Sequence, residues 1–90
     1  MLTGTVRVVN RTGIHLRLAS EIVKAASQFR AKVTLTKGDL TVDAKSMLGV
    51  AMLGAEYDTE LRLSVEGEDE KEAIDTLTGL FENNFGREVI

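Results

Sequence analysis

The chain contains no cysteine, no proline and no tryptophan, and only one histidine and one tyrosine in 90 residues. Without cysteine there is no disulfide framework, no thiolate metal site and no catalytic thiol, which suits a reducing compartment. Without proline, breaks in the chain fall to glycine and polar pairs. Aromatic residues make up 4%. The three Phe fall on helical stripes and Tyr57 in a loop, so no strand offers a stacking platform and nucleic-acid binding is disfavoured. A lone histidine with no acid pair at ligand spacing argues against a metal site. No apolar run approaches the roughly 18 residues of a membrane span. The start, "MLTGTVRVVN", alternates and does not read as a signal peptide, so a cytoplasmic protein without membrane insertion is expected. No Walker loop, nucleophile elbow or paired catalytic carboxylates appear, and no cofactor is called for.

Hydrophobic residues at 43% suit one small globular domain over residues 1–90. The net charge of -3 hides an asymmetry: residues 1–45 carry eight cations and three acids, and residues 46–90 three cations and eleven acids. A basic half that carries the histidine could steer an acidic or phosphorylated partner towards it.

Hydrophobic periodicity predicts seven elements. Thr3–Val9 reads as a strand. Leu16–Phe29 reads as a helix with Ala19, Ile22, Val23, Ala26 and Phe29 on its apolar stripe. Val33 and Leu35, then Leu40 and Val42, alternate on the two arms of a hairpin that turns at Gly38-Asp39. "KSMLGVAMLGA" reads as a short helix, with Ser46 as N-cap and Gly54 at its end. "ELRLSVEG" alternates cleanly, and a last helix runs from about Asp69 to Asn84, with acids crowding its first turn. Every strand is apolar on one face only, so all helices must cover the same face. The expectation is an α+β, open-faced two-layer sandwich: a four-stranded sheet with three helices on one face, in the order βαββαβα. A split βαβ arrangement is its simplest topology. It returns residues 54–58 to the edge where "GIHLRLAS" places His15 at the start of the first helix.

A helix start offers unpaired N–H groups and the positive end of a dipole, both of which favour a phosphate-like anion. Imidazole titrates near neutrality and is nucleophilic when unprotonated. Arg17 lies in the first turn, where a guanidinium could fork onto phosphoryl oxygens. Together these suit a transient phosphohistidine. Composition and spacing alone nevertheless favour the ordinary reading, a loosely capping histidine and a solvated arginine.

The sequence "GIHLRLAS" resembles the active-site signature of the bacterial HPr phosphocarrier family, and "AKSMLGVAMLGA" resembles that family's second signature, Lys-Ser followed by a short apolar helix ending in Leu-Gly. Their separation, the chain length and the element order fit as well. The resemblance implies a carrier in the phosphoenolpyruvate-dependent sugar phosphotransferase system rather than an enzyme. It implies phosphoryl transfer from enzyme I to His15 Nδ1 and on to enzyme IIA domains, with Arg17 as charge partner. It further implies partner contacts at Leu16, Ser20 and Lys24 on the first helix and at Met47, Leu48 and Ala51 on the second. Ser46 matches a regulatory serine that a dedicated HPr kinase/phosphorylase modifies in many bacteria. From the residues alone, Ser46 stays open between a folding cap and a regulatory site. Met47–Leu53 is more apolar than one buried face needs, so part of it must be exposed.

The chain departs from the signature at two positions. The family usually has a small residue at position 16 and proline at 18, whereas both are leucine here. Leu18 continues the helix without pre-setting it, and Leu16 adds apolar bulk beside the histidine. Two other readings remain: an HPr-like carrier of a regulatory, for example nitrogen-linked, phosphorelay; and an acylphosphatase-like small hydrolase, with Arg11 and Gly13 in an anion-binding loop. A monomer is the simplest expectation.

Overall fold

The computed structural model describes residues 1–86. Four strands and three helices run in the order β1 (Leu2–Arg7), α1 (Leu16–Ala26), β2 (Lys32–Lys37), β3 (Leu40–Asp43), α2 (Met47–Met52), β4 (Glu60–Glu66) and α3 (Glu70–Glu82), closed by a 3₁₀ turn at Asn84–Gly86. The sheet order is β1-β4-β2-β3, and all three pairings are antiparallel. β1 and β2 are therefore parallel to each other with β4 between them, and β3 and β4 parallel with β2 between them. These are the two halves of a split βαβ arrangement, crossed by α1 and α2. The fold is the α+β open-faced sandwich expected from the strand patterns.

Alternation builds the core. Val6, Val33, Leu35, Val42, Leu61, Leu63 and Val65 all point beneath the helices and are buried. Facing them are Leu18, Ala19, Ile22, Ala25 and Ala26 of α1, Val50 of α2, and Ala73, Leu77 and Phe81 of α3. The opposite face carries Thr, Lys, Arg and Glu in exposed or half-buried positions. β4 lies in the middle and is buried at every second residue, which is why its pattern is the cleanest in the sequence.

Three boundaries differ from the periodicity. α1 stops at Ala26, because Gln28 and Phe29 donate their N–H groups to Ala25 and Ala26, three residues back, and tighten the last turn. Phe29 is still buried, reached through that turn. α3 stops at Glu82, because Asn84 and Phe85 both adopt left-handed backbone, with φ of 56° each. This turn sets Phe85 edge-on to Phe81, with ring centroids 5.1 Å apart. Leu40 is exposed rather than turned into the core with Val42, since it opposes Lys37 at the turn end of the hairpin.

The acids at the start of α3 have a more specific task than complementing a dipole. Asp69 makes no side-chain cap. Its carboxylate accepts the N–H groups of Arg30 at 2.9 Å and Ala31 at 2.8 Å, tying the α1–β2 connection to α3. Those bonds, the one from Arg30 foremost, hold the Asp69 carboxyl below the usual carboxylate range.

Candidate functional site

The connection from β1 to α1 is stiffened before it reaches the histidine. Asn10 Oδ1 accepts from the N–H of Thr12 at 3.0 Å and from its hydroxyl at 2.6 Å. Gly13 N–H closes a turn onto the Asn10 carbonyl at 2.9 Å. Ile14 N–H then reaches the Ala55 carbonyl, also at 2.9 Å. That last bond realises the expected return of residues 54–58 to this edge. Gly13 lies against the returning chain with φ of +74°, so closely that a Cβ on it would be 2.7 Å from the Ala55 oxygen. Only glycine suits this position.

His15 then takes the N-cap of α1 with extended backbone, φ -102° and ψ 177°. Its carbonyl accepts from Ala19 N–H at 2.8 Å, and its Nδ1 accepts from Leu18 N–H at 3.4 Å. The ring is exposed. The N–H groups of Leu16 and Arg17, the first two of the helix, have no hydrogen-bond acceptor among the described residues, as helix geometry requires. Arg17 is exposed, and its guanidinium forms no ion pair with another described residue. One exposed imidazole, and two N–H donors and one cation without partners among the described residues, thus share the first turn of α1. That set suits an oxyanion attached at the histidine.

α2 ends beside this edge and begins away from it. Ser46 caps its start, its Oγ accepting from Gly49 N–H at 3.0 Å. At the other end Gly54 takes φ of +56°, and Lys37 Nζ donates to the carbonyls of Leu53 at 3.1 Å and Gly54 at 3.2 Å. Val50 and Leu53 face the core, whereas Met47, Leu48, Ala51 and Met52 are exposed. Leu16 on the adjoining α1 and Leu48 are each 71% exposed. Ser20 and Lys24 are also exposed on α1. Every residue singled out for partner contact is therefore at the surface, on two helices that pack side by side.

The fold adds detail to two readings of the sequence. The basic half of the sequence is not a basic half of the molecule. Arg7 is paired across the sheet with Asp58 at 3.4 Å and Glu60 at 3.1 Å, Lys37 donates to the carbonyls that follow α2, and Lys45 donates to the Phe29 carbonyl in the turn after α1. Near the histidine the side-chain cations without an ion-pair partner among the described residues are Arg17 and Lys24, while Arg11 lies over the Tyr57 ring at 5.7 Å. Leu18 continues α1, as expected, and its side chain is 2% exposed and part of the core. Sequence reasoning did not specify the Asn10 turn, although an Asn side chain commonly accepts the N–H two residues on. It missed the Leu18–His15 bond as well, which no residue pattern announces.

No group of three or more potential metal ligands occurs among the described residues, and none of their helices is long and apolar enough to cross a membrane.

The model of the PTS HPr component phosphorylation site family matches residues 2–83. The phosphocarrier protein HPr of Treponema pallidum is 46% identical over 88 residues, covering 98% of this chain and 100% of that one. The chain belongs to the HPr family of phosphocarrier proteins. Among solved structures, HPr-C-His from Thermoanaerobacter tengcongensis matches with a TM-score of 0.93 and 40% identity, over 98% of this chain and 99% of that one. An HPr dimer from the same organism matches with a TM-score of 0.77 and 39% identity, over 97% and 100%. As a member of this family, the chain is a phosphocarrier of the phosphotransferase system, and the edge around His15 is where its geometry offers a carrier site.

Proposed function

We propose that His15 accepts a phosphoryl group at Nδ1 from phosphorylated enzyme I and passes it to enzyme IIA components in sugar uptake, as a single cytoplasmic carrier domain. The observation that carries this reading is the exposed His15 ring at the N-cap of α1, beside the free N–H groups of Leu16 and Arg17. Phosphoryl transfer passes through a loose transition state whose charge sits on the equatorial oxygens, so positioning and charge stabilisation matter more than covalent help. The helix start supplies N–H donors, and Arg17 supplies a cation with no competing partner among the described residues. The exposed apolar residues Leu16, Met47, Leu48 and Ala51, with Ser20 and Lys24 at the rim, form the docking surface. A small patch of this kind suits partners that must bind and leave quickly. All these residues lie on one chain, so a monomer suffices for the reading. Sedimentation of the protein checks this against the dimer described for the Thermoanaerobacter relative.

Ser46 is a second site in this reading, open to HPr kinase/phosphorylase. Its Oγ already accepts an N–H at the start of α2, and a phosphate there keeps acceptor oxygens at that position. Modification then acts by placing negative charge beside Met47 and Leu48, leaving the fold intact.

The hydrolase reading is disfavoured by the loop itself. The N–H groups of Thr12, Gly13 and Ile14 are all engaged within the protein, and Arg11 lies on Tyr57, so the loop has no free cradle for an anion. A regulatory phosphorelay would use the same His15 chemistry with other partners.

The test is phosphorylation by labelled phosphoenolpyruvate and enzyme I, with His15→Ala as control. The expected product is acid-labile and base-stable, absent from the variant, and discharged by sugar-specific IIA proteins. Label that persists in His15→Ala contradicts the acceptor role. Discharge only to a nitrogen-linked partner selects the regulatory branch.

A further inference from the structure

One contact holds the His15 ring, the N–H of Leu18 donating to Nδ1 at 3.4 Å. A donor aimed at Nδ1 requires a lone pair on that nitrogen, so the neutral ring carries its proton on Nε2. At 3.4 Å the contact is longer than a usual hydrogen bond, so the ring is only lightly held. The donor itself is fixed. Leu18 lies in the first turn of α1 with its side chain locked in the core, so its N–H cannot turn away when the acceptor changes.

We propose that the Leu18 main-chain N–H is a positioning group that changes acceptor during transfer. In the free carrier it holds the Nδ1 lone pair; the ring swings off this long contact to present Nδ1 to the incoming phosphorus, and in the phosphorylated carrier the same N–H bonds a phosphoryl oxygen. The inference rests on the reading of His15 as acceptor through Nδ1. In the step, the Nδ1 pair forms the new N–P bond. The bond from phosphorus to the donor's nitrogen breaks, and its electron pair stays with the donor. The Nε2 proton remains where it is, so no proton moves. Nδ1 then has no lone pair to offer Leu18, and the nearest acceptors are oxygens of the group that has taken its place. Together with Leu16 and Arg17, Leu18 makes a third main-chain donor. A proline at 18 could not provide it, having no N–H. A hydrogen bond to a charged phosphoryl oxygen is about twice as strong as one to a neutral ring nitrogen, so the exchange favours the phosphorylated state.

Chemical synthesis of the 90-residue chain allows Leu18 to be replaced by its α-hydroxy acid, which exchanges the N–H for an ester oxygen and keeps the side chain. Leu18→Val trims the buried side chain and keeps the N–H. Both are phosphorylated with phosphoramidate, a small-molecule donor that needs no partner protein. The unmodified chain and Leu18→Val are expected to show a through-hydrogen-bond coupling between the residue 18 amide nitrogen and ³¹P. When unmodified and ester chains compete for phosphoryl groups through enzyme I, the ester is expected to hold about fivefold less at equilibrium. Leu18→Val is expected to hold its full share. Absence of the coupling in the phosphorylated unmodified chain, or an equal share for the ester, overturns the proposal and leaves the carrier reading standing. Failure of the unmodified chain to be phosphorylated on His15 overturns both.

Discussion

Substituting alanine for Gly13 should damage both the fold and the edge that carries His15, by an amount that can be worked out. Gly13 has φ of +74°, and its new Cβ would meet the Ala55 oxygen at 2.7 Å and the Glu56 Cα at 3.0 Å. A left-handed alanine costs about 1–2 kcal/mol by itself. Both obstructing atoms are backbone, so relief means parting residues 13–14 from 55–56. Overpacking of that kind costs about 1–3 kcal/mol. Parting also stretches the Ile14–Ala55 hydrogen bond, worth about 1 kcal/mol. The total is about 3–6 kcal/mol, a large share of the stability of a small domain. Gly54→Ala is the control, since Gly54 also has positive φ but no atom within 4 Å of the added carbon. It should lose only the conformational cost. Urea denaturation followed by far-ultraviolet circular dichroism measures both, as the chain has no tryptophan. With a slope of about 1–2 kcal/mol per molar urea, Gly13→Ala should melt at least about 1 M below Gly54→Ala. Equal midpoints would refute the claim that the 54–58 return holds the His15 edge in place.

Further outcomes follow at four other positions. Asp69 has a folded pKa below its unfolded one, so its stabilisation is complete above about pH 4 and disappears as pH falls through the folded value. The stability gap between the natural chain and Asp69→Asn should therefore close on acidification, and a gap constant with pH would show that the bonds to Arg30 and Ala31 do not discriminate between the charge states. Ser46→Ala should lose about 1 kcal/mol with its cap, whereas Ser46→Asp, which keeps an acceptor, should stay within about 0.5 kcal/mol of the natural chain yet accept phosphoryl groups from enzyme I more slowly. An unchanged rate in Ser46→Asp would remove Ser46 as a control point. Leu48→Ala, at an exposed position, should leave thermal stability nearly unchanged and weaken enzyme I binding measured by calorimetry. Leu53→Ala, in the core, should cost about 2–5 kcal/mol of stability.

What the sequence reveals and what it hides separate along physical lines. β4 was legible residue by residue because a central strand with one wet face must alternate. The stripe of α3 and the cap of α2 at Ser46 were legible because each depends on neighbours in the chain. Helix ends were less so. α1 stops three residues before its apolar stripe does, and Asn84 and Phe85 take a backbone that their side chains do not advertise. Charges were the least legible, because pairing depends on the sheet order. Arg7 meets Glu60 only because β1 lies against β4, and Lys37 and Lys45 are directed to main-chain carbonyls in the turns that follow α2 and α1. Within the site, His15, Arg17 and the exposed side of α2 could be chosen from motif and spacing. The packing of Gly13 on Ala55 and the bond from Leu18 to Nδ1 belong to tertiary geometry. At position 18 the departure from the family signature is also a core residue and a main-chain donor, neither of which the sequence announces.

The central claim, that His15 is where the phosphoryl group resides, is tested most directly by locating that group. Cleavage after Arg11 and Arg17 releases Thr12–Arg17, a peptide containing the only histidine of the chain. After phosphorylation by enzyme I and digestion at mildly alkaline pH, fragmentation by electron transfer should place one phosphoryl group on His15 in that peptide. The same group on Thr12, or on any peptide outside residues 12–17, would contradict the account.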